Sequence, residues 1–236
     1  EICACLVGSE MCIRDRLSVL VILPFLGETI FYSKGEPREA IVAFSMLESG
    51  NWILPVNYGT DIAYKPPFFY WSIATVSSLL GGVTEYSSRL PSALAFLAMQ
   101  LVFFSFIAKR KGVKTAFLAS ILLLSSFEVH RAAVACRVDM VQVSLIVISL
   151  CLLFRWDEKE CRGIPWLAIL LMGCATLTKG PVGSIFPCVS IGLFQLLRRR
   201  PFWKTFFRLL VIGILSLIPY AAWISAAYVQ GGQPFI

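Results

Sequence analysis

Charged residues are scarce in this chain of 236 amino acids, and histidine is nearly absent. Only 15% of the residues are charged, 58% are hydrophobic, and His130 is the single histidine. A composition this apolar, with a mean hydropathy of +0.78, excludes an ordinary soluble domain and predicts a polytopic helical membrane protein. One histidine alone makes no histidine-based metal site.

The sequence also lacks paired cysteines and a glycine-rich phosphate loop. None of the eight cysteines forms a CxxC pair, and Cys151, Cys174 and Cys188 fall inside apolar runs, where cysteine behaves as a small hydrophobe. No basic–aromatic groove pattern accompanies the net charge of +7, so the charge does not indicate nucleic acid as a partner. The cations instead gather in short clusters between apolar runs, as the positive-inside rule predicts.

The apolar runs predict helices that cross a membrane several times. The expected spans are 17–31, 89–108, 115–127, 140–154, 164–177, 182–197 and 209–228. Residues 68–80 are too few for the roughly 20 that a span needs, so they predict a helix along the interface. Placing segments 109–114, 155–162 and 198–208 in the cytoplasm collects 12 Lys and Arg there, against seven on the outer side.

The first outer loop, 32–89, is the one long segment of mixed polarity. A helix is expected to begin near Gly35, because Pro37 and Glu36 both suit a first helical turn, and to stop at Gly50. Apolar residues within it recur at a spacing of three to four. The pattern predicts a short amphipathic helix that lies on the membrane surface, and this loop is the expected working part of a membrane enzyme.

The outer ends of the predicted spans bring acids and cations to one surface. These residues are Glu36, Arg38, Lys65, Arg131, Arg137, Asp139 and Lys179. Such cations suit a lipid-borne phosphate, and such an acid suits deprotonation of a hydroxyl that attacks an attached sugar.

Each of these side chains also has a purely structural interpretation. Glu36 and Lys179 can interact with helix dipoles, and Lys65 can be an interfacial anchor. Arg137 and Asp139 can pair at the end of a span, and Arg38 can pair with Glu39 or Glu48 on its own helix.

Five segments in order carry a resemblance to a known family: GEPREAIVAFSMLESGNWILPV, YKPPFFYW, SRLPSALA, RVDM and TKGP. Together they resemble the bacterial membrane glycosyltransferases related to the lipid A aminoarabinose transferase and to protein O-mannosyltransferases. The resemblance covers about residues 17–236 and implies the N-terminal part of a longer GT-C chain. It implies an all-α, polytopic transmembrane bundle with amphipathic juxtamembrane helices in the first outer loop.

The resemblance also implies a reaction and a place for it. A sugar would pass, with inversion, from a polyprenyl-phosphate donor to a hydroxyl of a lipid A-like glycolipid or of a protein. The protein would be multi-pass in the bacterial inner membrane, with its active site on the outer, periplasmic side. The implied partners are the donor, the acceptor and membrane lipids, and no nucleic acid.

Several residues of this sequence match positions that have a role in the family. An Asp-Glu pair opens the family's first juxtamembrane helix, and Gly35-Glu36 matches it here, so either Glu36 or Asp139 is the expected base. The family's phosphate-contacting lysine matches Lys65, and Tyr64 stands where the aminoarabinose transferase has a metal-binding acid. A divalent metal is possible but is not supported by these residues. The expected donor-binding residues are Lys65, Tyr64, Arg38, Arg137 and Lys179.

Two other classes of function compete with this interpretation. A transporter or lipid flippase would place ionisable residues at mid-membrane depth and show repeated halves, whereas these charges lie at the ends of spans and no repeat is visible. A non-catalytic subunit of a membrane assembly would leave the outer acids dispensable.

Residues 1–16 resemble a translated sequencing-adaptor read-through. The alternative is a genuine N-terminus with Arg14 and Arg16 as cytoplasmic anchors.

Overall fold

The computed structural model describes residues 13, 16–58, 61–63 and 65–232, and most of them are helical. In chain order the elements are α1 (described over 16–22), α2 (Gly35–Ser49), β1 (Val56–Asn57), β2 (Asp61–Ile62), α3 (Phe68–Leu80), α4 (Glu85–Lys111), α5 (Val113–Ser125), α6 (Phe127–Ala133), α7 (Val138–Glu158), α8 (Trp166–Lys179), α9 (Val182–Leu197) and α10 (Phe202–Gly231). The all-α prediction is confirmed, with the two-residue strands β1 and β2 as a small addition. Most of the segment 1–16 lies outside the described residues.

Three of the described helices, α4, α7 and α10, are long and apolar enough to cross a membrane. α5 and α6, bent by 72° at their junction, pass the same test as a pair and bring the number to as many as four. α9 coincides with the predicted span 182–197, and α8 overlaps the predicted span 164–177. Their 16 and 14 residues fall short of the roughly 20 that a straight crossing needs. The sequence therefore located these helices correctly but did not show that each one crosses the bilayer alone.

The first predicted span is wrong in its second half. The helix described over 16–22 gives way to a bend and turns before Glu28, whereas the apolar pattern predicted a helix to Phe31. Pro24 explains the break, because its ring clashes with the carbonyl four residues earlier and it offers no backbone N–H. The turns that follow bring the chain back to the start of α2.

Helix α2 forms as its sequence predicts. It ends at Ser49, and Gly50 adopts a left-handed φ of 69° while donating its backbone N–H to the Met46 carbonyl at 2.9 Å. Ala43 packs with Phe69 of α3 in one buried cluster, and Val42 and Met46 pack with Tyr70 in another. α2 is therefore held against α3, with Glu36 and Glu39 buried in its first turns.

The contacts sort the helix termini into two ends of the bundle. At one end Leu54 packs with Leu177 of α8 and with Trp223 and Ala227 of α10; we name this the site end. At the other end Arg110 of α4 pairs with Glu158 of α7. Arg198 and Arg200, which follow α9, pair there with Asp157; we name this the basic end. The alternation of charged segments in the sequence predicted this arrangement.

Candidate active site

A buried ion pair fixes the start of α2 at the site end. Arg89, near the start of α4, donates from Nε to Glu36 Oε1 at 3.1 Å, and both side chains are almost fully buried. The remaining guanidinium nitrogens donate to the carbonyls of Leu26 and Thr29, each at 2.7 Å, and of Ile30 at 3.1 Å. One arginine therefore connects α4, the turns after α1 and the first turn of α2.

The carboxylate of Glu36 is fully engaged. Besides Arg89, its Oε1 accepts the Cys136 backbone N–H at 3.0 Å, and its Oε2 accepts the Tyr32 N–H at 3.2 Å. The side chain has no solvent exposure. Glu36 thus lies at the centre of the site end, but its oxygens are enclosed by donors from three segments of the chain.

A second buried acid lies one helical turn further along α2. Glu39 Oε1 accepts a hydrogen bond from Lys65 Nζ, and Glu39 Oε2 is buried with no hydrogen-bond partner among the described residues. Glu36 and Glu39 are three residues apart and share a helix face. Lys65 keeps about a fifth of its side chain exposed (21%), so its ammonium is held at the edge of the site.

A half-buried acid lies between two cations at the start of α7. Asp139 Oδ1 accepts from Lys179 Nζ, the last residue of α8, and Asp139 Oδ2 lies 3.4 Å from Arg137 Nε. The Asp139 side chain is 35% exposed, and both cations are more exposed still. The structure therefore joins Arg137, Asp139 and Lys179, three residues that the sequence placed in the site, into one open group.

A cavity of about 240 Å³ adjoins this open group. It is lined by Tyr32, Ser33, Glu128, Arg131, Ala132, Ala135, Arg137 and Asp139. Arg131 donates to Glu128 at 2.7 Å on the α6 side of the cavity. The lining of the cavity thus includes two cations and two acids, which suits a small charged group.

Cys136 shows that the buried and open groups are parts of one site. Burial raises the pKa of its thiol well above the ordinary value; Glu39 and Glu36 raise the pKa further, while Arg89 and Lys65 oppose them. Cys136 directly precedes Arg137. Partial burial raises the pKa of Asp139, but Lys179, Arg137 and, more weakly, Lys65 lower it below its ordinary value. The two α2 acids and their partners therefore lie beside the Arg137–Asp139–Lys179 group.

Arg38 and Tyr64 were also proposed from the sequence. Arg38 is half-buried on α2, and Tyr64 lies outside the described residues. Sequence reasoning missed the roles of Glu39 and Arg89. The three-residue spacing from Glu36 was a signal for Glu39, and a lone cation at the start of a long apolar run was a signal for Arg89.

The donor set at the site end does not match a metal centre. Within the described ranges, no group of three or more His, Cys, Asp and Glu side chains is placed to hold a metal ion. Lys65, Arg89, Arg137 and Lys179 already occupy the carboxylates of Glu39, Glu36 and Asp139.

The fold and the site define a class, the GT-C membrane glycosyltransferases. The structure resembles that of ArnT from Cupriavidus metallidurans bound to undecaprenyl phosphate, with a TM-score of 0.81 and 23% sequence identity over 94% of this chain and 42% of that chain. The apo structure of the same protein gives the same TM-score of 0.81. At this identity the likeness establishes the fold.

The family follows from the sequence match. Residues 64–225 match the model described as dolichyl-phosphate-mannose-protein mannosyltransferase, and the chain belongs to this family. It is 29% identical over 219 residues to the undecaprenyl phosphate-alpha-4-amino-4-deoxy-L-arabinose arabinosyl transferase 2 of Proteus mirabilis, covering 89% of this chain and 38% of the relative. It is 28% identical to the transferase of the same kind from Shewanella sediminis, covering 91% of this chain and 42% of the relative. The chain thus spans about two fifths of the length of these relatives.

Proposed function

We propose that the protein transfers a sugar from a polyprenyl-phosphate donor to a hydroxyl acceptor on the outer face of the bacterial inner membrane. The observation that carries the proposal is the open Arg137–Asp139–Lys179 group beside Lys65, at the site end of a membrane bundle. The relatives' names, which specify an undecaprenyl-phosphate sugar, support the donor class. The acceptor is a glycolipid or a protein, and the sugar is a pentose or a hexose.

We assign the general base to Asp139. Of the two acids that the sequence named, Asp139 is accessible to a substrate, whereas Glu36 is buried and already accepts three hydrogen bonds. A general base must come within hydrogen-bond reach of the proton that it removes. Glu36 then acts as a positioning residue: with Arg89 it holds the start of α2 beside Cys136 and the α7 start.

Lys65, Arg137 and Lys179 would bind the donor phosphate. In the absence of donor, Lys179 and Arg137 neutralise Asp139, and Lys65 neutralises Glu39. A bound phosphate would draw these cations towards itself, because charge-assisted hydrogen bonds to phosphate are strong. This exchange would release the Asp139 carboxylate to accept a proton.

The proposed reaction needs no reactant besides the donor and the acceptor. The acceptor oxygen attacks the anomeric carbon from the face opposite the phosphate, and its proton passes to Asp139. The bond between the anomeric carbon and the phosphate oxygen breaks, and its electron pair leaves with the polyprenyl phosphate. The configuration at the anomeric carbon is inverted, and the neighbouring cations stabilise the leaving phosphate.

A transfer assay on the full-length protein in membranes tests this proposal. Labelled polyprenyl-phosphate sugars are offered to the wild type, Asp139→Asn, Glu36→Gln, Lys65→Ala and a matched control, Glu48→Gln, which changes an exposed acid elsewhere on α2. We expect Asp139→Asn to lower the transfer rate by about 100-fold or more while it still binds donor. Lys65→Ala should weaken donor binding by about tenfold, and Glu48→Gln should change neither.

The same assay identifies the competing functions. Retained transfer in Asp139→Asn, at unchanged protein levels, would remove Asp139 as the base. If the wild type transfers no sugar, and donor binding is unchanged in Glu36→Gln and Asp139→Asn but lost in Lys65→Ala, the protein binds or moves the lipid without a chemical step. That outcome would favour a flippase.

A further inference from the structure

We infer that the basic end carries a binding site for the phosphate of an anionic phospholipid, formed by Arg155, Lys159 and Arg162 where α7 meets α8. This inference concerns the opposite end of the molecule from the sugar-transfer site and does not depend on it. It rests on the pairing of charges, on the shape of a cavity and on the apolar side chains beside that cavity.

The acids at the end of α7 are already neutralised by cations from other segments. Asp157 is buried and accepts from Gln195 and Arg198, each at 3.0 Å, with Arg200 at 3.3 Å. Glu158 pairs with Arg110, and Glu160 pairs with Arg200 at 2.7 Å. No acid of this segment therefore remains to neutralise its own cations.

Arg155, Lys159 and Arg162 make no ion pair with any acid in the part of the chain that the structure describes. Arg200 holds the Glu160 carboxylate and lowers its pKa, and Arg198 and Arg162 lower that pKa further from a longer distance. All three side chains are exposed. They form a group with uncompensated positive charge, which an anion would neutralise.

These cations converge on one cavity rather than scattering over the surface. The cavity has a volume of about 330 Å³, and Arg155, Lys159 and Arg162 line it together with Trp156, Pro165, Trp166 and neighbouring residues. The start of α8 forms its opposite wall and has no side-chain cap. The partial positive charge at this helix terminus adds to that of the three cations.

The apolar wall of the cavity indicates a lipid rather than a free phosphate ion. Trp166 and Leu167 are 63% and 57% exposed beside it, and Leu170 continues this exposed face one turn along α8. Tryptophan favours the membrane–water boundary, and basic pockets between membrane helices bind the headgroups of anionic lipids. The phosphate would lie among the cations, with the acyl chains along Leu167 and Leu170.

Native mass spectrometry of the full-length protein in mixed micelles tests the site with phosphatidylglycerol and phosphatidylcholine as probes. The triple variant Arg155→Gln, Lys159→Gln, Arg162→Gln is compared with Lys111→Gln, Lys114→Gln, Lys204→Gln, which removes equal charge from exposed positions at the same end. We expect about tenfold weaker phosphatidylglycerol retention in the first variant and at most about a twofold change in the second. Phosphatidylcholine retention should not change.

A second measurement keeps Arg155, Lys159 and Arg162 in place, so it does not depend on whether the triple variant folds. Brominated phosphatidylglycerol should quench the part of the fluorescence that Trp166→Phe removes, and brominated phosphatidylcholine should quench it less. Equal lipid loss in the two triple variants, or no loss in either, would refute a defined site. Displacement of the lipid by millimolar inorganic phosphate would refute the lipid as the ligand. Equal quenching by the two brominated lipids would also refute it.

Discussion

Arg89 shows how much of the site depends on a single side chain. A buried guanidinium carries a large desolvation cost unless its donors are paired, and here they reach the Glu36 carboxylate and the carbonyls of Leu26, Thr29 and Ile30. The same pairing gives the Glu36 carboxylate a charged partner in a position without solvent. Neither residue is stable alone in this environment, so the pair behaves as a unit.

Replacing Arg89 by glutamine should destabilise the protein by about 3–5 kcal/mol, because it leaves the Glu36 carboxylate buried without its partner. The exposed pair of Arg131 and Glu128 supplies the control, and Arg131→Gln should cost about 0–1 kcal/mol. Denaturant unfolding in detergent micelles measures both. The double variant Arg89→Met, Glu36→Met should be more stable than Arg89→Gln; equal stability of the two would contradict the burial argument.

Cys136 should report the integrity of this buried cluster. Burial, and then Glu39 and Glu36, raise the pKa of its thiol, so the unreactive neutral form persists at pH values where an exposed cysteine, with a pKa of about 8.5, ionises. In a variant with no other cysteine, maleimide at pH 8 should therefore leave Cys136 unmodified. Although Arg89 itself lowers that pKa, Arg89→Gln should make the thiol reactive, because opening the cluster removes the burial that is the largest cause of the raised pKa. Labelling at full rate in the parent protein would show that the cluster is open there.

The sequence named all three members of the open group, and of the buried ion pairs it named Glu36 and Lys65 but not Arg89 and Glu39. Arg137, Asp139 and Lys179 were proposed together because each follows or precedes an apolar run, and helix ends of this kind meet at one end of a bundle. The pairing of Arg89 with Glu36 joins residues 53 positions apart. Periodicity shows which face of a helix is apolar, but it does not show which helix that face meets.

At the scale of the elements, α8 and α9 are joined through a glycine. A Cβ at Gly183 would lie 2.5 Å from the Ala175 carbonyl carbon and the Thr176 nitrogen, which are backbone atoms of α8. Only a residue without a side chain permits this approach. Close backbone contact of this kind is typical of helix pairs in membranes, where small residues form the interface.

Gly183→Ala should therefore separate α8 from α9 and destabilise the protein by about 1–3 kcal/mol. Gly213→Ala is the matched control, because its nearest neighbour would be Cys188 Sγ at an ordinary 3.7 Å. Alanine favours a helix more than glycine, so this second change should be neutral or slightly stabilising. Thermal unfolding of both variants gives the comparison, and equal effects would refute close packing at Gly183.

The sequence predicted the bounds of a helix correctly where glycine or proline stands next to the apolar run. The described bounds of α3 and α9 coincide with the apolar runs, because glycine or proline stands directly beside each of them. The first span failed because hydropathy averages over Pro24, whose effect on the backbone is local. The strands β1 and β2 are two residues each, too short for any alternation to predict.

On the scale of the whole molecule, the two ends differ in how their charges are used. At the site end Glu36, Glu39 and Asp139 each hold a cation. At the basic end the excess of cations predicts a cytoplasmic orientation. The proposed reaction and the proposed lipid site thus occupy opposite faces of one bundle.

Cysteine accessibility in intact cells would establish this orientation. In a background without other cysteines, Glu48→Cys marks the site end and Lys114→Cys marks the basic end, and both positions are exposed. Because 12 of the Lys and Arg residues cluster at the basic end, we expect it to face the cytoplasm. A membrane-impermeant maleimide should then label Glu48→Cys directly and Lys114→Cys only after permeabilisation. The reverse pattern would place the candidate site in the cytoplasm and exclude sugar transfer on the outer face, even if every residue-level prediction held.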